Sequence, residues 1–329
     1  MTLDPALSAM LDRARSAGGP ALNDLPLAEA RTALREMFLA QGYPVRHPAK
    51  VTHHSAVECG GTFDLHIYRP EAAQGPLPGI IYFHGGGFVL GDAAAYDTHS
   101  RALAHLLGAA VIVVGYRLAP EHRFPAAITD ASAAMDYLST RLATLDVQAD
   151  RIVIMGESAG GNLAVNAAIH AARTGGLCPR GLCLIYPVTD TRPFTGYDVT
   201  YPSLERFGSG TNLDRAEMDW FCDTYLNDRS EGARPENTLL LHPELHLLPK
   251  TRIYVGECDP LRDMGIAFAM RLLENGVDAR SDCLPGMMHS FMCQGAVSAR
   301  ALRHFFRIVE EMDGLLGACC TGPAVGEVS

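Results

Sequence analysis

Arg151-Ile152-Val153-Ile154-Met155-Gly156-Glu157-Ser158-Ala159-Gly160-Gly161 is the stretch on which the reading of the whole chain turns. Ile152 to Met155 form a continuous apolar run, as expected of a strand buried on both faces. Gly-x-Ser-x-Gly follows at once and opens a helix candidate from Ala159 to Arg173, stopped by Gly175-Gly176. Strand, sharp turn and helix in that order are the setting a nucleophilic serine needs, because so tight a turn holds its central residue in a strained backbone and presents its side chain at the sheet's end. Glycines two before and two after it let the neighbouring elements pack closely. Ser158 is therefore the candidate nucleophile.

Working outward, residues 79–83, 110–114, 181–185 and 251–255 are further apolar runs and read as inner strands. Helix candidates fall between or after them: 98–107 stopped by Gly108, 126–142, 262–275 stopped by Gly276, and a last one from about 298 to 315. This alternation is that of an α/β fold, a mostly parallel sheet with helices on both faces. Phe63 to Tyr68 alternates apolar and polar residues, which places a strand near a sheet edge, and 279–283 reads as a last strand. Two segments break the rhythm. Residues 1–45 are helical with Leu27, Ala30, Leu34, Met37 and Phe38 on one face, and 190–240 is polar and dotted with aromatics. Both are expected to meet as a lid over the carboxyl edge of the sheet, leaving 46–189 and 241–320 as the core and 321–329 as a flexible tail.

Three more loops carry chemistry. His84-Gly85-Gly86-Gly87-Phe88 follows the strand at 79–83, and its residues without side chains let backbone N–H groups face a developing oxyanion. It is no phosphate loop, since no Gly-Lys-Ser/Thr follows and Leu90 stands where a last glycine would be needed. Glu257 to Asp263 follows the strand at 251–255, and Gly286 to Phe291, with His289, follows the last strand. The order Ser, Asp, His along the chain is that of an α/β-hydrolase, with each residue on a loop past a strand's carboxyl end. Asp259 is preferred to Asp130 and Asp263 as the acid because it stands at the first loop position after its strand and directly before Pro260. His242 and His246 have helical spacing, but Pro243 removes a helix donor and Glu244 is misplaced for a zinc-protease motif, so a solvated loop is expected. His53-His54 reads as polar loop or strand.

Composition narrows the partners. With 48% hydrophobic and 19% charged residues the chain is expected to be soluble and globular, and a formal net charge of -10 opposes binding to nucleic acid or anionic lipid. Met1 to Arg15 mixes charged and short apolar side chains, so neither a signal peptide nor a membrane span is expected, and the cytoplasm is the expected location. The nine cysteines are scattered and odd in number, which argues against a disulfide framework and for mostly buried thiols; none of them forms a metal-binding spacing.

The segments 84–88 (HGGGF), 116–127 (YRLAPEHRFPAA), 156–161 (GESAGG), 257–263 (ECDPLRD) and 289–291 (HSF) together resemble the hormone-sensitive-lipase-like group of microbial carboxylesterases, over nearly the whole chain. The resemblance implies the α/β-hydrolase fold with a helical cap built from 1–45 and 190–240. It implies Ser158, Asp259 and His289 as triad, the N–H groups of Gly86, Gly87 and Ala159 as oxyanion hole, and His84, Gly85, Glu157 and Asp263 in support. Phe88, Phe207, Met218 and Phe221 are then candidates for the substrate pocket. It further implies a small ester of short to medium acyl chain as substrate, no metal or organic cofactor, and a dimer, which is common among similar proteins. Glu121 and His122 fall in a segment with a structural role. Glu157 stands where the group more often has Asp, and Ser290 where Gly is usual. An amidase or formamidase would use the same groups; a ligand receptor of this fold lacks the histidine, which this chain keeps at 289.

Overall fold

The computed structural model describes residues 2–317. Two helices come first, α1 (Pro5–Ala17) and α2 (Leu27–Gln41), the former capped by the Asp4 carboxylate with Pro5 in its first turn. The core then runs β1 (Ala49–Glu58), β2 (Gly61–Pro70), β3 (Leu77–Phe83), α3 (Asp97–Leu107), β4 (Ala110–Tyr116), α4 (Ala126–Arg141), β5 (Val147–Glu157), α5 (Ala159–Thr174) and β6 (Gly181–Ile185). After an inserted stretch holding α6 (Pro202–Phe207) and α7 (Arg215–Tyr225), it closes with β7 (Thr251–Gly256), α8 (Arg262–Glu274), β8 (Ala279–Leu284) and α9 (Ala299–Leu316).

The eight strands form one sheet in the order β1-β2-β4-β3-β5-β6-β7-β8. β1 and β2 are antiparallel to each other, β2 is antiparallel to β4, and every later pairing is parallel. Residues 78–83, 110–114, 152–157, 181–185 and 251–256 of β3, β4, β5, β6 and β7 are all buried, which is the physical reason these stretches are mostly apolar, whereas Gln148 to Arg151 at the start of β5 are not buried and are mostly polar. β1 was not expected as a strand beyond its two histidines. It covers β2 on the outer side, so 63–68 lies second from the edge, and its Ala-Lys-Val-Thr-His-His-Ser-Ala-Val-Glu sequence contains no buried residue to mark it. Helix ends agree with the expected stops, with Gly108 and Gly175 in the left-handed conformation at the ends of α3 and α5.

Of the apolar face expected on the N-terminal segment, Ala30, Leu34 and Phe38 are buried while Leu27 and Met37 are partly covered. α7 begins with a full capping box between Asp214 and Glu217. Among the described residues the cysteines Cys183, Cys222, Cys258 and Cys293 are buried, while Cys59, Cys178 and Cys283 are exposed. Cys59 sits in the β1–β2 turn, and Cys283 on the β8 edge of the sheet. The tail expected at 321–329 lies outside the described residues.

Candidate active site

Ser158 stands between the end of β5 and the start of α5 with φ 54° and ψ -122°, a conformation a side-chain-bearing residue adopts at a cost of about 1–3 kcal/mol. Its N–H donates to the Ile185 carbonyl at 2.9 Å, and its own carbonyl accepts from Val188 at 3.0 Å, so β6 and the loop after it hold the turn. Close approach explains the second glycine of the motif: a Cβ on Gly160 would lie 2.1 Å from the Phe83 carbonyl oxygen, so only a bare backbone lets α5 sit against β3.

The His289 ring, on the loop after β8, has Nε2 3.0 Å from Ser158 Oγ and Nδ1 2.9 Å from Asp259 Oδ2. With Nδ1–H donating to the carboxylate, Nε2 is the free acceptor for the serine hydroxyl. Asp259, fully buried on the loop after β7, has its other oxygen occupied by the Leu261 N–H at 2.8 Å, which fixes the carboxylate plane. The inserted stretch reaches this loop directly, since Asn212 Nδ2 donates to the His289 carbonyl at 2.8 Å. Ser290 is left-handed at φ 57°, which gives a physical reason for glycine being usual there. Chain order and loop position point to these three residues, and the structure sets Ser158 and Asp259 each within hydrogen-bond reach of His289.

Gly86 has φ 111°, and a Cβ there would lie 2.1 Å from the Leu90 carbonyl oxygen. The Phe221 ring packs directly on Gly87. Both glycines line the same cavity as Ser158, and Ala159 is the first residue of α5, where a helix leaves its N–H groups without intrahelical partners. Behind this loop the His84 ring lies between Tyr116 and Tyr96, at 4.4 and 5.6 Å between ring centres, with Nδ1 2.8 Å from the Gly85 carbonyl. Burial lowers its pKa to about 4, so His84 is a neutral donor that shapes the glycine loop. Glu157 is buried and takes hydrogen bonds from the Tyr82 and Tyr186 hydroxyls. Burial raises its carboxyl above the usual range against the pull of these two donors, and the Tyr186 ring in turn packs on His289 at 4.5 Å.

The cavity over Ser158 is walled mainly by apolar side chains: Leu34, Met37 and Phe38 from α2, and Met218, Phe221 and Tyr225 from α7, with Phe88 stacked on Tyr225 at 4.1 Å. Phe88, Met218 and Phe221 were expected there. Phe207 was expected as well but is not part of the wall; it ends α6, which packs on α8, and its ring lies beneath the Arg206 and Arg262 guanidinium groups at 5.3 and 5.6 Å. Asp263 touches none of the three central residues. Its carboxylate accepts from the Ser203 N–H and from Arg262 Nε, both at 2.7 Å, and so ties α6 to α8. Asn212, Glu217, Tyr186 and Tyr225 were missed, although Asp214-x-x-Glu217 is a capping-box signature that marks where α7 begins.

The rejected candidates serve elsewhere. Asp130 is fully buried against Arg117, with Oδ1 2.6 Å from Nη2, and also accepts from the Thr62 N–H at 2.8 Å. Glu121 pairs with Arg31 at 2.8 Å. His53 and His54 lie on β1, and among the described residues neither they nor His242 and His246 join a group able to hold a metal ion. No helix among those residues is long and apolar enough to cross a membrane.

Comparison with known proteins bears on the fold and the family. Residues 80–293 match a family described as having the alpha/beta hydrolase fold. The chain is 33% identical to an ethyl acetate hydrolase of Pseudomonas putida over 95% of its own length and 99% of that protein. It is 33% identical to a carboxylic ester hydrolase of Mycobacterium tuberculosis, over 88% of this chain and 77% of the relative. Among solved structures, an ester hydrolase from the metagenome of Lake Arreo superposes with a TM-score of 0.88 at 31% identity, covering 96% of this chain and 100% of that one.

Proposed function

The chain belongs to the hormone-sensitive-lipase-like carboxylesterases of the alpha/beta hydrolase fold, and on that premise we propose that it hydrolyses short- to medium-chain carboxylic esters through an acyl-enzyme on Ser158. The observation that carries the reading is the hydrogen-bonded line from Ser158 Oγ through the His289 ring to Asp259, at 3.0 and 2.9 Å. Ser158 Oγ attacks the ester carbonyl while His289 takes its proton, and the same histidine returns that proton to the departing alcohol. Water, deprotonated by His289, then attacks the acyl-serine carbonyl and releases the acid. Asp259 holds the imidazole tautomer and stabilises its cation. The N–H groups of Gly86, Gly87 and Ala159 stabilise the oxyanion in both halves.

Residues 1–45 and 190–240 act in this reading as the cap, since α2 and α7 both contribute to the cavity wall. The close apolar wall over the serine supports small acyl groups, as does the likeness to an ethyl acetate hydrolase. A p-nitrophenyl ester series from acetate to palmitate, run with Ser158→Ala as control, tests the proposal. Turnover is expected to be highest among the short chains and to fall by about 10⁵ to 10⁶ in the variant. A folded Ser158→Ala protein that keeps its activity removes the serine from the mechanism, and a preference for palmitate removes the short-chain assignment.

A further inference from the structure

Two polar residues of the cavity wall, Asn212 and Glu217, have no part in ester cleavage as described, and they stand on either side of the point where the inserted stretch turns into α7. The His289 carbonyl orients the Asn212 amide by accepting from Nδ2 at 2.8 Å, because a flipped amide would set two carbonyl oxygens against each other. Asn212 Oδ1 is thereby fixed as an acceptor. It is buried and has no hydrogen-bond partner among the described residues, which is costly for such an atom.

Glu217 lies in the same wall. Its Oε2 accepts from the Asp214 N–H at 3.2 Å to close the capping box, and Oε1 takes no hydrogen bond among the described residues. The nearest basic residue in sequence, Arg215, turns instead to the Pro193 carbonyl at 2.6 Å and to Asp219 at 3.8 Å. The charged or titratable groups that act on Glu217 are Asp214 on its own helix and His289 across the cavity, while burial raises its carboxyl to about 7. The apolar wall around it offers van der Waals contact without direction. With Glu217 ionised, the two are acceptors for which the described residues supply no donor, and they call for a donor on the ligand.

We propose that Glu217 and Asn212 form an acceptor subsite that selects esters carrying a hydrogen-bond donor, a hydroxyl or an ammonium, besides the carbonyl under attack. The proposal rests on the esterase reading above. It makes Glu217 and Asn212 determinants of specificity rather than catalytic residues.

Matched esters that differ by one isosteric group test it by pH-stat titration. The pairs are 2-hydroxyethyl acetate with propyl acetate, ethyl 3-hydroxybutyrate with ethyl 3-methylbutyrate, and ethyl 3-aminopropanoate with ethyl butyrate. They separate a donor on the alcohol side from one on the acyl side, and a neutral donor from a charged one. The quantity read is kcat/KM for the donor ester divided by that for its isostere. In at least one pair this ratio is expected to fall about ten-fold or more in Glu217→Met and Asn212→Leu. Loss of the Asn212 bond to His289 slows both members of a pair alike, so it cancels in the ratio. Glu217→Gln retains an acceptor oxygen and a capping partner, which keeps the test available if the methionine variant does not fold; it is expected to lower the ammonium ratio most.

Raising the pH from 6 to 8 removes the donor proton of Glu217 and leaves a carboxylate that only accepts, so the wild-type ratio for the preferred pair should climb over that interval and stay flat in Glu217→Gln. Changes in the charge of His289 act alike on both esters of the two hydroxyl pairs and cancel there, while for the ammonium pair they are present equally in Glu217→Gln and are removed by comparison with that variant. Ratios within two-fold of wild type for all three pairs in every variant would overturn the subsite while leaving the esterase intact. If neither isostere nor donor ester is turned over and Ser158 takes no covalent label, the esterase reading fails and the subsite falls with it.

Discussion

At the scale of single residues, the parts of the site that could be read in advance are those for which chemistry dictates the residue type. A nucleophile on a strand-to-helix turn has to be a small reactive side chain between glycines, and Ser158 meets that requirement in its φ of 54° and its packing against β3 through Gly160. Gly86 is constrained twice, by a φ of 111° and by the Leu90 carbonyl oxygen 2.1 Å from where a Cβ would be. Gly86→Ala must therefore shift the loop and its N–H away from the oxyanion. Its kcat is expected to drop by about 10² to 10³, the loss seen when one such donor is removed, with circular dichroism showing the fold retained. A folded alanine variant with near wild-type kcat would take this N–H out of the oxyanion hole. Phe207, in contrast, could not be placed from its type. An aromatic residue at the end of a six-residue helix has too little periodicity to tell which neighbour it faces, and here it faces α8 rather than the cavity.

At the scale of elements, legibility followed burial. Strands sandwiched between helices carry unbroken apolar sequence and were found, whereas β1, with no buried residue, left no trace beyond a mixed polar run. The polar attachment of α2 was equally hidden, because it is made by two arginines, of which Arg35 pairs with Asp92 and Arg31 reaches further. Arg31 donates from Nε to the Val89 carbonyl and from Nη2 to the Ala119 carbonyl, each at 3.0 Å, and pairs with both oxygens of Glu121 at 2.8 Å. Those hydrogen bonds lower the Glu121 carboxyl to about 2, so the tie persists through the neutral and mildly acid range and is lost only as the pH falls through that value. Arg31 thus joins α2 to the loop that follows the oxyanion glycines and to the Tyr116 to Ala127 segment, which gives Glu121 a structural part and no catalytic one. Arg31→Met is expected to speed amide exchange across 27–41 and to broaden the acyl-chain profile, since Leu34, Met37 and Phe38 would no longer be held over the cavity. Unchanged exchange together with an unchanged profile would mean that the apolar face and the Arg35–Asp92 pair dock the helix without Arg31.

At the scale of the whole molecule, the alternation of strands and helices gave the architecture, and the order Ser, Asp, His gave the ends of the sheet at which the chemistry gathers. What stayed hidden was the shape of the space above the serine. That space is made where α2, from the start of the chain, meets α7, from an insertion roughly 190 residues later; a meeting of the two segments as a lid was expected, but no local pattern records that Asn212 and Glu217 line it. The same long-range closure brings Asn212 onto the His289 carbonyl, linking the cover of the cavity to its base. The central claim, that the molecule is assembled around one activated serine, is tested most directly by covalent labelling. Treated with diethyl p-nitrophenyl phosphate and digested for mass spectrometry, the wild-type protein should gain one diethylphosphoryl group on Ser158, in step with complete loss of ester turnover, and Ser158→Ala should gain none. Label on another residue, or a wild-type protein that remains unlabelled while hydrolysing esters, would contradict the account.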